Sequence, residues 1–351
     1  MKKKIIVIGP CLSQSGSRED LFEIYIQPIP WGNTGWQWHE SGFRQWVDER
    51  IIQTQILSQT NKLHCDISLQ VTIPNEWKKI APVNIGYTAG IETTKVSPQW
   101  LAKGNEMSKI LVVSTHAKTT YENTVAMATN SQTGQQIPYK LTTPIEVVHE
   151  MTTRTEPEPI NIELEHDFNF ITLSQWSPRK NFENTIVWWV EEFIDQEVGL
   201  IVKTNLMNNS LIDRRHTEAK LKTLLDKYPD RKCKVYLLHG DLSEGQMTSL
   251  YRSDKIKALI NIAHGEGFGL PIFEAAREAV PVVTVGWSGQ VDFLNFNGNN
   301  MFQEVEFLLQ PVQPDYVWTG VIEADSMWAY ADQGSYKMTL RDTYKNYDKA
   351  K

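Results

Sequence analysis

Residues 264–285, HGEGFGLPIFEAAREAVPVVTV, place Gly265, Gly267 and Gly269 around Glu266, with Glu274 following after seven intervening residues. The apolar run IKALINIA before this stretch reads as a strand, and Pro271 suits the first turn of a helix continuing through FEAAREA to about Ala279. HGEGFGL is then a strand-to-helix loop. Glycines let backbone amides approach a ligand closely, and a helix amino end favours phosphate or partly negative oxygens. Carboxylates accept hydrogen bonds from sugar hydroxyls but repel phosphate. The combination therefore suits a ligand with both polyol and anionic parts, as in a nucleotide sugar. Spacing alone leaves a plainer reading open, since Gly-x-Gly is common and glutamates near a helix start complement its dipole.

The elements that must position this loop repeat a rhythm of short apolar runs and helix-like stretches, which predicts an α/β protein with mostly parallel sheets. Strands are expected in the first half at 4–9, 66–73, 83–88, 109–114 and 145–149. The second half repeats them at 168–174, 198–204, 233–238, 256–263 and 280–285. A chain of 351 residues exceeds what one core usually covers. Between the two sets lies TRTEPEPINIELEHD (153–167), whose two prolines and five acidic residues read as an exposed linker. The expected division is an N-terminal Rossmann-like domain over 1–155, a second over 156–325, and a helical segment over 326–351 folding back on the first. Two such domains facing each other across a cleft would hold ligand at the carboxyl ends of both sheets.

The composition narrows the function classes. A formal net charge of -7 argues against a protein whose main task is gripping a polyphosphate backbone. Cys11, Cys65 and Cys233 are far apart and without metal-ligand spacing, which favours a reducing cytoplasm and no metal site. MKKKIIVIGP starts like a signal peptide, but its apolar stretch is too short, and nothing approaches the roughly 20 apolar residues of a membrane span.

EGFGLPIFEAAREAVPVV, followed by GWSGQVDFL (286–294), closely resembles the donor-site signature of retaining glycosyltransferases of family 4 (glycosyl transferases group 1), which have the GT-B fold. The resemblance implies that Glu266 holds donor-sugar hydroxyls near the reacting carbon. Gly267, Phe268 and Gly269 would present main-chain amides to the sugar, with His264 and Leu270 beside them, and Glu274 would bind the nucleotide ribose. Ser288 and Gly289 would be secondary contacts.

TLSQWSPRKNFENTIVWWVEEF (172–193) resembles the segment opening the family's donor domain, so Arg179 and Lys180 become the diphosphate clamp. Many members have Gly-Arg after that strand, where this chain has Ser174 and Gln175. VIGPCLSQSGSRED (7–20) has the form of the family's first strand and glycine loop, which brings Gly16 toward the diphosphate. GYTAGIETTKVSPQWL (86–101) and VVSTHAKTTYENT (112–124) resemble its acceptor side. Where members carry a histidine there, this chain offers Glu92 as a polar substitute, while His116 and His149 are as readily structural. In WGNTGWQWHESGFRQW (31–46), Trp36 and its neighbours suit stacking on an acceptor, and helix packing explains Trp46 equally well.

The implied activity is metal-independent transfer of a hexosyl or pentosyl group, with retention, from a UDP- or GDP-linked sugar to a hydroxyl on a sugar, lipid or protein. No cofactor is implied beyond this donor substrate. Other readings remain open. They are a phage-type enzyme of this fold acting on modified bases in DNA, which fits the acidic balance poorly, a non-catalytic GT-B partner subunit, and a sugar-nucleotide epimerase or phosphorylase.

Overall fold

The computed structural model describes residues 2–9, 22–29, 40–130, 132–152 and 154–350, in which the apolar runs become two separate parallel sheets. One compact unit runs to His149 and includes Val317–Ala324. The second runs from Glu150 to Tyr316 and resumes at Asp325.

The first unit comprises β1 (Lys3–Gly9), β2 (Phe22–Pro28), α1 (Gly42–Gln59), β3 (Ile67–Val71), β4 (Val83–Thr88), α2 (Pro98–Asn105), β5 (Lys109–Val112), α3 (Thr115–Asn123), a hairpin of β6 (Ala126–Thr129) with β7 (Gln136–Tyr139), and β8 (Ile145–Val147). Its parallel sheet has the order β2-β1-β3-β4-β5-β8. Ser97 and Ser114 start α2 and α3 by accepting from the N–H groups of Gln99 and Ala117, so these helices begin where the side chains satisfy otherwise unpaired donors. Trp77, Trp100, Ile110 and Tyr121 fill one core, which Val321 joins, while Val47 of α1 packs on Ile24 and Ile26 of β2. Trp46 stacks on Phe43 at 5.8 Å and carries the Arg50 guanidinium 5.1 Å from its ring, in keeping with a packing role. Gly16 and Trp36 lie outside the described residues.

The second unit comprises β9 (Asn169–Leu173), α4 (Phe182–Phe193), β10 (Gly199–Lys203), α5 (Leu211–Leu225), β11 (Lys234–Leu238), α6 (Glu244–Tyr251), β12 (Ile256–Asn261), α7 (Leu270–Arg277) and β13 (Val282–Val285). There follow α8 (Val291–Leu294), β14 (Asn295–Phe296), β15 (Asn299–Asn300), β16 (Gln303–Val305), β17 (Phe307–Pro311), β18 (Met327–Ala331), α9 (Gln333–Lys345) and α10 (Tyr347–Ala350). The sheet order is β11-β10-β9-β12-β13-β16, the Rossmann order, with its switch point between β9 and β12. Every residue of β9 is buried, as expected of a central parallel strand covered on both faces.

Two expectations are corrected here. The segment after residue 325 is not helical throughout, because Met327–Ala331 pairs antiparallel with Phe307–Pro311 before Asp332 caps α9. Nor does α9 leave its unit for the first domain. Tyr336 and Leu340 enter the core beside α4, while Lys337 and Arg341 pair with Glu191 and Glu192 of that helix. The stretch expected as an exposed linker is exposed along most of its length and is fastened to the second unit. Ile160, Ile162 and Leu164 alternate into the core under α6, and the Glu158 N–H donates to the Gly245 carbonyl at 3.0 Å. A Cβ on Gly245 would come within 2.7 Å of the Glu156 carbonyl oxygen, so glycine is what lets this strap lie so close.

Candidate functional site

At the switch point of the second sheet, the loops leaving β9 and β12 are joined residue to residue. After β9, Pro178–Lys180 forms a 3₁₀ turn that ends at Asn181, whose φ of 50° lies in the left-handed region tolerated by asparagine. Asn181 Nδ2 donates to the Ile262 carbonyl at 3.2 Å, and the His264 N–H donates to the Arg179 carbonyl at 2.8 Å. These bonds fix the turn against the HGEGFGL loop. Lys180 Nζ then lies 2.7 and 2.6 Å from the two oxygens of Glu266. Arg179 Nη1 donates to the Gly265 carbonyl at 2.7 Å and lies 3.5 Å from Glu266 Oε2. Asn261, the last residue of β12, donates from Nδ2 to Glu266 Oε1 at 3.0 Å.

Glu266 is 5% exposed. Burial pushes its carboxyl up, but the Lys180 and Arg179 charges outweigh this and hold it below the usual glutamate value. The cluster sets two cations against one buried carboxylate. Both cations stand between the β9 and β12 loops, where anionic ligands of open α/β sheets are held.

A second layer of contacts holds Glu266 from behind. Its N–H donates to Ser288 Oγ at 2.9 Å, and the Gly289 N–H donates to its carbonyl at 2.8 Å. Ser288 has a φ of 77° and donates in turn to Gln290 Oε1 at 2.8 Å. Gly269 starts α7 at a φ of 92°, a conformation that a side chain would strain.

The sequence matches no protein-family model, and no curated protein is similar to it in sequence. Solved structures do superimpose. Sucrose-phosphate synthase from Thermosynechococcus elongatus aligns with a TM-score of 0.55 at 9% identity over 98% of this chain and 90% of that one. Anabaena HepE in complex with UDP-glucose gives 0.52 at 13% identity over 99% and 91%. The E. coli trehalose-6-phosphate protein bound with UDP-2-fluoro glucose gives 0.52 at 9% identity over 97% and 91%. The fold is GT-B. At such identities the likeness extends to the fold alone.

Within this GT-B chain the other expected residues fall in different places. His264 is buried, with its ring 4.8 Å from Trp328 in a stacked arrangement and 4.6 Å from Tyr330, and its Nδ1 lies 2.6 Å from the Ala329 carbonyl oxygen. A carbonyl only accepts, so Nδ1 carries the proton. Phe268 turns its ring into a cluster with Phe273 and Phe293, at 5.5 and 5.0 Å. Leu270 is 36% exposed at the start of α7. Glu274 shares no hydrogen bond with the Glu266 cluster and meets the Tyr251 hydroxyl at 3.4 Å. Burial raises the Glu274 carboxyl above the usual range, against the opposing charge of Arg277. Glu92 and His116 belong to the first unit, at the loop after β4 and the start of α3. Sequence reasoning missed Asn261, although a lone polar residue ending the apolar run IKALIN is a signal for it. It also missed the aromatic wall of Trp328 and Tyr330, which lies well beyond the signature in sequence and carries no spacing signal.

Burial lowers the His264 pKa from its ordinary 6.5, the Ala329 bond opposes this and Arg179 adds to it. A depressed histidine is neutral when folded, so the unfolded chain takes up the extra proton first and stability falls as pH drops below about 6.5. We expect an acid limb in thermal unfolding with a slope of at most one proton, about 1.4 kcal/mol per pH unit. In the His264→Phe variant that share of the limb should vanish. An unchanged pH profile in the variant would show that His264 titrates normally.

Proposed function

We propose that the protein is a retaining glycosyltransferase of the family 4 type, moving a hexosyl or pentosyl group from a UDP- or GDP-linked sugar to an acceptor hydroxyl without a metal. The observation that carries this reading is the Lys180–Glu266–Arg179 cluster at the switch point of a Rossmann-ordered sheet in a GT-B chain. Solved neighbours with UDP-glucose or its fluoro analogue bound support the donor class.

Lys180 and Arg179 bind the diphosphate. As the bond from the sugar's anomeric carbon to phosphate breaks, charge builds on the departing oxygens, and the Lys180 and Arg179 cations stabilise it. When Lys180 turns to phosphate, lone pairs of Glu266 become available to sugar hydroxyls. The acceptor oxygen bonds to the anomeric carbon on the face the phosphate leaves, and the acceptor's proton passes to a phosphate oxygen. Glu274 binds the nucleotide ribose, and Gly267 and Gly269 give the loop its close approach to the sugar. A cytoplasmic setting accords with the free thiols of Cys65 and Cys233.

The test is incubation of the purified protein with UDP- and GDP-sugars and a panel of hydroxyl acceptors. Release of nucleoside diphosphate, a product with the donor's anomeric configuration and insensitivity to chelator are expected. Neither binding nor turnover of any nucleotide sugar in the panel would overturn the reading.

A further inference from the structure

A second candidate surface lies in the same unit, on the α4 side of the 3₁₀ turn. A cleft of about 330 Å³ is walled by Trp176, Trp188, Tyr316 and Tyr330, with Asn184 and Gln313 among its polar groups. That volume is at the lower end of the range for small-molecule sites. Glu266 and Lys180 do not line it.

Two residues of the wall each carry a buried polar atom without a hydrogen-bond partner, the indole Nε1 of Trp176 and Oε1 of Gln313. Such atoms are uncommon in folded proteins and costly to leave unmet. Trp77, Trp189 and Trp328 also have buried indole N–H groups without acceptors, but those residues do not line the cleft. One of the two cleft atoms is a donor and the other an acceptor. An apolar ligand would leave both unmet, and a fully ionised phosphate could accept from Trp176 but give nothing to Gln313. Sugar hydroxyls both donate and accept, and the C–H faces of a pyranose suit aromatic walls. At the margin, Lys220 lies 4.8 Å from the Trp176 ring centre and pairs with Glu183 at 2.8 Å, so the charge there is balanced and gives no preference for an anion.

We propose that this cleft is a saccharide subsite, distinct from the Lys180–Glu266 pair, that holds a neutral pyranose unit through Trp176 and Gln313. The proposal is independent of the donor chemistry, because saccharide binding is read without any nucleotide. In the full-length ¹⁵N-labelled protein, the Trp176 indole signal, assigned by its loss in Trp176→Phe, is followed during titration with maltose, cellobiose, lactose and mannobiose. At least one of these should shift it saturably, and Gln313→Leu should weaken that binding about fivefold, the loss expected of one hydrogen bond. A signal unmoved by every sugar, one that moves only with UDP, or an affinity unchanged by Gln313→Leu would each overturn the proposal.

Discussion

Glu266→Gln should lower nucleotide-sugar turnover by roughly 10²- to 10³-fold, the scale seen when one preorganised transition-state contact is removed. Glutamine keeps the size of the side chain and one carbonyl oxygen, so the variant should remain folded while Lys180 loses the charge that orients it. Lys180→Met removes the other half, and its loss of turnover should be of similar size. The informative measurement is the double variant. Lys180 Nζ contacts both oxygens of a carboxylate that is 5% exposed, so each single substitution also leaves a buried charge without its main partner. Removing both at once relieves that penalty. The combined loss in both stability and turnover should therefore be smaller than the sum of the two single losses, with a coupling of about 1–3 kcal/mol. Turnover of Glu266→Gln equal to that of the unaltered protein, or strict additivity in the double variant, would remove Glu266 from the site.

How much of this arrangement is legible in the sequence depends on whether the contact is local. Strands β9, β10, β12 and β13 follow from short, mostly apolar runs, because strands buried on both faces need no alternation. Glu266 and Lys180 are separately visible in their motifs, yet their bond spans 86 positions and depends on the Rossmann strand order, which puts β9 beside β12. Local patterning does not encode that adjacency. The corrected elements fail for the same reason. MWAYA is a strand only because Phe307–Pro311 is there to pair with it, and α9 joins the second unit because Glu191 and Glu192 on α4 meet its basic residues. Along the strap the charged residues are exposed, as their type predicts, but their charge does not show that the stretch is fastened down. Ile160, Ile162 and Leu164 alternate with polar neighbours, and that period is the signal its acidic residues obscured.

Gly289→Ala should destabilise the second unit by about 1–3 kcal/mol and remove most of the turnover that remains in the folded fraction. The reason is steric. A Cβ at this position would lie 1.9 Å from the Gly267 carbonyl oxygen and 2.8 Å from that of Glu266, and both obstacles are backbone, which cannot swing aside as a side-chain end can. Relief requires the segment around Gly289 to retreat from the HGEGFGL loop. That movement would stretch the 2.8 Å bond from the Gly289 N–H to the Glu266 carbonyl and draw Ser288 Oγ away from the Glu266 N–H. Glu266 would then lose the backbone register that sets its carboxylate against Lys180, so a methyl group at Gly289 reaches the chemistry through the backbone. Gly42→Ala is the matched control, because a Cβ there meets nothing within 4 Å and the position opens helix α1. Urea unfolding should place the control at or slightly above the unaltered protein, since alanine restricts the unfolded chain. Equal midpoints for Gly289→Ala and the unaltered protein, together with equal rates of nucleoside diphosphate release, would mean that the 265–269 loop does not depend on Gly289 for its shape.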